Sequence, residues 1–106
     1  MTHPLDQLFA TIAARQATGD EGASYTARLI KEGVAKCAKK FGEEAVETVL
    51  ASVSGDKQHL AAESGDALYH LLVLWAAAGI TPDDVYAELK KREVQSGLAE
   101  KASRRE

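Results

Sequence analysis

The stretch from Ala67 to Ile80 constrains the fold of this chain more than any other. It reads Ala-Leu-Tyr-His-Leu-Leu-Val-Leu-Trp-Ala-Ala-Ala-Gly-Ile, with His70 its one ionisable group below alkaline pH. At the helical period, Leu68, Leu71, Leu72, Val73, Leu74 and Trp75 fall on nearly every side, and a helix apolar all round has to be covered all round. The stretch is shorter than the ~20 residues needed to cross a bilayer, so the cover is protein. Three further short helices within one chain of 106 residues are expected to be too little cover for it. We therefore expect a two-fold homodimer with this helix near the interface. The alternative is a monomer with a central helix.

The rest of the chain agrees with an all-α fold. No segment alternates at period two over a strand's length, and the two prolines, Pro4 and Pro82, both stand where a helix can begin. A first helix is expected from Pro4 to Ala17, with Leu5, Leu8, Phe9 and Ile12 on one face. Thr18 to Ala23 reads as a loop. Ser24 or Thr26 caps a short segment through Lys31, with Leu29 and Ile30 inward, and Gly33 interrupts it. The next helix spans Val34 to Ser54, with Val34, Cys37, Ala38, Phe41, Ala45, Val49 and Val53 as its apolar side. Gly42 inside it costs about 1 kcal/mol against alanine, which suggests close helix packing or an approaching ligand. Asp56 caps the apolar helix, Lys57 to Ala78, which stops at Gly79. Thr81-Pro82-Asp83-Asp84 opens a last helix running to Gln95. The expectation is a four- to five-helix bundle-like domain over 1–95 and a polar tail over 96–106.

Composition excludes several function classes. Lys and Arg number 13 against 16 Asp and Glu, a net charge of −3. A general nucleic-acid binder would carry a basic excess, so no nucleic-acid partner is expected. One cysteine, Cys37, makes neither an internal disulfide nor a cysteine-based zinc site, and reads as a small core residue. No cleavable leader or membrane span is visible. A cytoplasmic location is expected.

The chemistry lies in two acidic pairs. Glu43-Glu44-Ala45-Val46-Glu47 sets Glu44 and Glu47 three residues apart on one helix, and Glu63-Ser64-Gly65-Asp66 does the same on the next. A short connection makes the two helices antiparallel neighbours, so the pairs can face each other across one groove. Converging carboxylates repel unless a cation neutralises them. Hard divalent cations take oxygen ligands, and magnesium keeps places for water and phosphate. Such a site suits phosphate chemistry. No Glu-x-x-His occurs, which argues against a ferritin-like di-iron centre. The alternative is an ion-paired, solvated face, because Lys39 and Lys40 stand four residues before Glu43 and Glu44; His59 and His70 are the other cations at helical contact spacing. Lys36, Lys39, Lys40 and Arg28 either hold phosphates or are ordinary surface charges. His70 is a buried structural histidine or supports a ligand from behind. Tyr25 either packs or stacks on a base.

At these residues the chain resembles the phosphoribosyl-ATP pyrophosphohydrolases. The resemblance runs from Leu5 to Arg92. It rests on Ser24-Tyr25-Thr26, on the run Lys36 to Glu47 (K-x-x-K-K-x-G-E-E-x-x-E), and on Glu63 to Leu74, which includes Tyr69-His70-Leu71-Leu72-Val73-Leu74. The acidic pattern alone is shared with the wider MazG-like nucleoside triphosphate pyrophosphohydrolases. Cys37 and Phe41 depart from the aliphatic residues usual at those positions. The resemblance implies a dimeric helical fold, a Mg²⁺-dependent site, and hydrolysis of 1-(5-phosphoribosyl)-ATP, a small-molecule nucleotide, to 1-(5-phosphoribosyl)-AMP and pyrophosphate in histidine biosynthesis. It implies Glu44, Glu47, Glu63 and Asp66 as metal ligands, Glu43 or Glu47 as general base, and Lys39 and Lys40, with Lys36 and Arg28, on the phosphates. In many organisms this domain is fused to a cyclohydrolase; the length and single cysteine here lead us to expect the free-standing form. Two other functions stand beside it: a house-cleaning pyrophosphohydrolase of ordinary or damaged nucleoside triphosphates, and a non-catalytic helical dimerisation module. The Ser-Tyr-Thr and Tyr-His segments favour the first reading.

Overall fold

The computed structural model describes residues 3–20 and 24–94. These form five helices: α1 (Pro4–Thr18), α2 (Tyr25–Glu32), α3 (Val34–Ser54), α4 (Lys57–Ala78) and α5 (Pro82–Val94). No strand occurs among the described residues. The expected continuation to Gln95 and the tail over 96–106 lie outside them, as do residues 21–23 of the expected first loop.

Local chemistry sets the helix ends. His3 accepts the amide of Leu5 through Nδ1 ahead of Pro4, and α1 runs one residue past expectation before Gly19 turns left-handed at φ 64°. Of the two candidate caps for α2, Ser24 is the one used: its Oγ accepts the amide of Ala27 at 3.1 Å. Thr26 instead turns inward and bonds the hydroxyl of Tyr69. Gly33 separates α2 from α3 at φ 104° and ψ 171°, a conformation confined in practice to glycine. Asp56 caps α4 by accepting the amides of Gln58 and His59. Thr81 and Asp84 exchange reciprocal bonds at the start of α5.

The α3–α4 antiparallel hairpin is the spine, and α1 and α2 pack over the C-terminal half of α4. Ile12, Leu29, Cys37, Leu72, Val73, Trp75 and Ala76 form the core, ringed by Leu5, Leu8, Phe9 and Tyr69 among others. Each large side chain buried this way contributes about 1.5–3 kcal/mol. Helix α5 joins through α1, where the Tyr86 hydroxyl donates to Asp6 Oδ1 at 2.9 Å.

Three expectations are corrected. First, the C-terminal half of α4 is covered by its own chain, with Leu72 0% exposed and Trp75 8%, whereas Leu68 nearer its middle stays 43% exposed. Short helices suffice because α1, α2 and α3 all converge on that half. Second, Val34, Ala38, Val49 and Val53 do not face inward on α3; Val53 is 79% exposed. At 100° per residue Val53 lies about 160° round the helix from Cys37. The apolar residues of α3 therefore occupy two faces, one buried at Cys37 and Ala51, the other bare at Val46, Val49, Leu50 and Val53. Third, Gly42 is not explained by packing among the described residues, since a Cβ there would meet none of their atoms within 4 Å. The lower half of the hairpin extends beyond the other helices. This gives extents of 46 × 33 × 33 Å and a radius of gyration of 15.7 Å, against ~13 Å for a compact chain of this length.

Candidate active site

The antiparallel hairpin brings one turn of α3 against one turn of α4. Glu44 from α3 meets Glu63 and Asp66 from α4, with one carboxylate oxygen of each within 4.8 Å of the other two. Glu44 and Glu63 are half-buried and Asp66 is exposed. Beneath them, Thr48 Oγ1 lies 2.9 Å from the carbonyl of Glu44 and 3.0 Å from that of Glu63. Its single proton serves one carbonyl at a time, and either bond holds the register that opposes the carboxylates. Glu47 is exposed and stands outside the triad, as does Glu43.

Two cations approach the acids. Lys40 Nζ lies 3.6 Å from Glu43 and 4.0 Å from Glu44, and His59 Nε2 lies 3.4 Å from Glu63. The ion-paired alternative thus has a partial basis. It does not balance the charge: one lysine is shared between two glutamates, and no cation is paired with Asp66 among the described residues.

Beside the triad, between α2 and α3, opens a pocket of about 350 Å³ lined by Tyr25, Arg28, Leu29, Glu32, Lys36 and Lys40. The Arg28 guanidinium lies over the Tyr25 ring, 5.8 Å from its centroid. Lys40 holds its proton above the usual lysine range, first through the ionised form of the neighbouring Tyr25 hydroxyl and then through Glu43 and Glu44. Lys40 is therefore the wall common to pocket and triad. Of the four expected cations, Arg28, Lys36 and Lys40 line the pocket and Lys39 does not. Lys39 is about 100° round the helix from Lys40, so it faces elsewhere.

His70 lies one turn beyond Asp66 on α4 and is 7% exposed. Tyr69 meets it edge-on at 4.9 Å and Tyr25 at 6.2 Å. Its Nδ1 has no hydrogen-bond partner among the described residues. Burial pushes its pKa below the ordinary 6.5, with Lys40 acting in the same direction and Glu44 and Asp66 opposing. It is a neutral imidazole packed between the triad and the wall of the pocket. Cys37 donates its thiol to the carbonyl of Leu29 at 3.3 Å, and burial, then Glu32, raises its pKa. Such a thiol is an inert core group.

Sequence reasoning missed Leu29 and Glu32 as pocket residues and left Tyr25 between packing and stacking on a base. The Ser24 cap was the available signal. It orients the first turn of α2 so that Tyr25 and Arg28, three apart, share the pocket face.

Comparison with known proteins adds to this geometry. Residues 5–93 match the family model described as phosphoribosyl-ATP pyrophosphohydrolase. Similar curated proteins include the phosphoribosyl-ATP pyrophosphatase of Parvibaculum lavamentivorans, 60% identical over 96% of this chain and 93% of that protein. The phosphoribosyl-ATP pyrophosphatase of Azospirillum brasilense is 54% identical over 95% and 90%. Phosphoribosyl-ATP pyrophosphatase 1 of Bradyrhizobium diazoefficiens is 57% identical over 96% and 95%.

Proposed function

The chain belongs to the phosphoribosyl-ATP pyrophosphohydrolase family, and from this premise we propose how its acidic triad and basic pocket carry out the family's reaction. The protein is a hydrolase of histidine biosynthesis that converts 1-(5-phosphoribosyl)-ATP to 1-(5-phosphoribosyl)-AMP and pyrophosphate. The observation behind the site assignment is the juxtaposition of Glu44, Glu63 and Asp66 with a cationic pocket through the shared residue Lys40.

An all-oxygen donor set of three carboxylates fits a hard divalent cation, and magnesium is the cofactor proposed. Glu44, Glu63 and Asp66 would hold one or more ions, and Glu47, one turn on from Glu44, would be a further ligand. Bound there, magnesium supplies positive charge to the triphosphate and to the leaving pyrophosphate. Lys40 orients the chain of phosphates from the α3 side, with Arg28 and Lys36 holding phosphate in the pocket. Glu43 or Glu47, the exposed carboxylates flanking the triad, takes the proton of the water that attacks the α-phosphorus. The bond from that phosphorus to the α,β-bridging oxygen breaks, and pyrophosphate departs. In this reading the nucleotide substrate places the reaction in the cytoplasm. Among the described residues no helix is long and apolar enough to cross a membrane.

A homodimer is part of the proposal. Val46, Val49, Leu50 and Val53 are bare at 3- and 4-residue spacing, with Gly42 at the head of the same stripe and open above its Cα. A second copy of α3 laid on this stripe buries the valines and approaches closely at Gly42.

Pyrophosphate release from purified protein tests the reaction. With Mg²⁺, phosphoribosyl-ATP should be hydrolysed and a panel of ordinary nucleoside triphosphates should not. Excess EDTA should stop the reaction and added Mg²⁺ restore it. Turnover undiminished in EDTA would remove the metal from the proposal, and equal turnover of the panel would favour the house-cleaning reading.

A further inference from the structure

We propose that the pocket between α2 and α3 is the subsite for the substrate's second phosphorylated arm, the 5′-phosphomonoester of the sugar carried on the base. This rests on the reading above that the substrate is a phosphoribosylated nucleoside triphosphate. Such a molecule has two anionic ends, and the chain offers two differently charged receptors. The triad is anionic and receives phosphate only with a divalent counter-ion. The pocket lining is cationic: Arg28, Lys36 and Lys40 against Glu32 leave a surplus of two positive charges, of which Lys40 is shared with Glu43 and Glu44 at the triad. A phosphomonoester carries about −1.5 to −2 near pH 7, which matches that surplus without a metal.

Size and wall chemistry agree. At about 350 Å³ the pocket is at the small end of ligand sites, which run from ~300 to 1,000 Å³, so it takes a fragment and not the whole substrate. Leu29 and the Tyr25 ring give it an apolar side for a ribose, and Arg28 lies over that ring with its planar fork held for bidentate contact to phosphate oxygens. Lys40 stands between the two receptors. A substrate with its triphosphate at the triad therefore has its other arm directed past Lys40 into the pocket. The pocket becomes the determinant that separates phosphoribosyl-ATP from ATP, because ATP has nothing to place there.

The test is a binding titration of the full chain with ribose 5-phosphate in EDTA, so that neither metal nor turnover enters. Arg28→Ala and Lys36→Ala are the variants; both side chains are exposed, and helical circular dichroism checks the fold. Ribose 5-phosphate should bind the wild type and bind each variant about tenfold more weakly, the cost of losing one charge-assisted contact. Arg28→Lys should recover only part of the loss, since it restores charge without the fork. Pyrophosphate binding in Mg²⁺ should change far less in the same variants. The proposal is overturned if ribose 5-phosphate binds all forms alike, or if pyrophosphate is the ligand that loses tenfold. In the second case the pocket belongs to the triphosphate arm. If adenosine displaces ribose 5-phosphate, the pocket holds the base and the proposal also falls. These results are independent of whether the wild type releases pyrophosphate, so the pocket and the reaction can fail separately.

Discussion

At the residue scale, roles follow from position on the helix more than from residue type. Asp66 is in the triad and Glu47 is outside it, although both were equivalent partners in the spacing argument. If Asp66 is a ligand and Glu47 a ligand or base, Asp66→Asn and Glu47→Gln should each reduce pyrophosphate release at least a hundredfold, on the order of 3 kcal/mol of transition-state stabilisation. Helical circular dichroism should stay unchanged. Near-normal rates in both variants would move the site elsewhere. His70 carries a pH prediction. Its folded pKa lies below its unfolded value, so the unfolded chain takes up the proton first. Above about pH 7 both states are neutral and His70 makes no pH-dependent contribution; as pH falls through about 6.5, stability is lost until the folded imidazole also titrates. The urea midpoint should therefore drop more between pH 7.5 and 5.5 in wild type than in His70→Gln. Equal drops would show that the imidazole is not held neutral.

At the element scale, α3 has three duties on three faces. Its Cys37–Ala51 face packs on α4, its Lys36–Lys40 face walls the pocket, and its Val46–Val53 stripe is bare. Much of this division was open to arithmetic on the sequence. At 100° per residue Val49 is about 120° from Cys37, and Lys39 points away from Lys40. The bare stripe carries the dimer prediction. Val49 is 61% exposed in the single chain, so Val49→Lys should leave the fold intact while halving the mass seen by light scattering. A Val49→Lys protein with wild-type mass would place any dimer contact elsewhere. Its activity would then show whether the site needs the second copy.

At the scale of the whole molecule, the elongated shape and the carboxylate triad both leave a term to be settled by binding. Three carboxylates faced by one shared lysine and an imidazole store repulsion in the metal-free protein. An ion that binds the folded state alone stabilises it by about 2.7 kcal/mol at a hundred times its dissociation constant. Mg²⁺ should accordingly raise the melting temperature by several degrees over EDTA, and Asp66→Asn should abolish most of that rise. An equal rise in Asp66→Asn would mean that the ion binds away from the triad.

The sequence by itself determined the helices and most of their ends. Caps, prolines and glycines act within a turn of where they stand, and α3 and α4 begin and end at the residues those signals mark. It also pointed to the two acidic pairs facing each other, because a short turn between two long helices favours the antiparallel hairpin, but it did not separate Glu44, which meets Glu63 and Asp66, from Glu47, which does not. Tertiary structure alone decided three things. It covered the C-terminal half of α4 with helices of the same chain, it selected Ser24 over Thr26 as the cap by giving Thr26 a partner in Tyr69, and it closed Tyr25, Leu29 and Glu32 of α2 against Lys36 and Lys40 of α3 to make a pocket. Each depends on the angle at which α2 leaves Gly33 and lies across the hairpin. That angle is set by the packing of Leu29 and Ile12 into the core, an interaction between residues distant in the chain that no local pattern encodes.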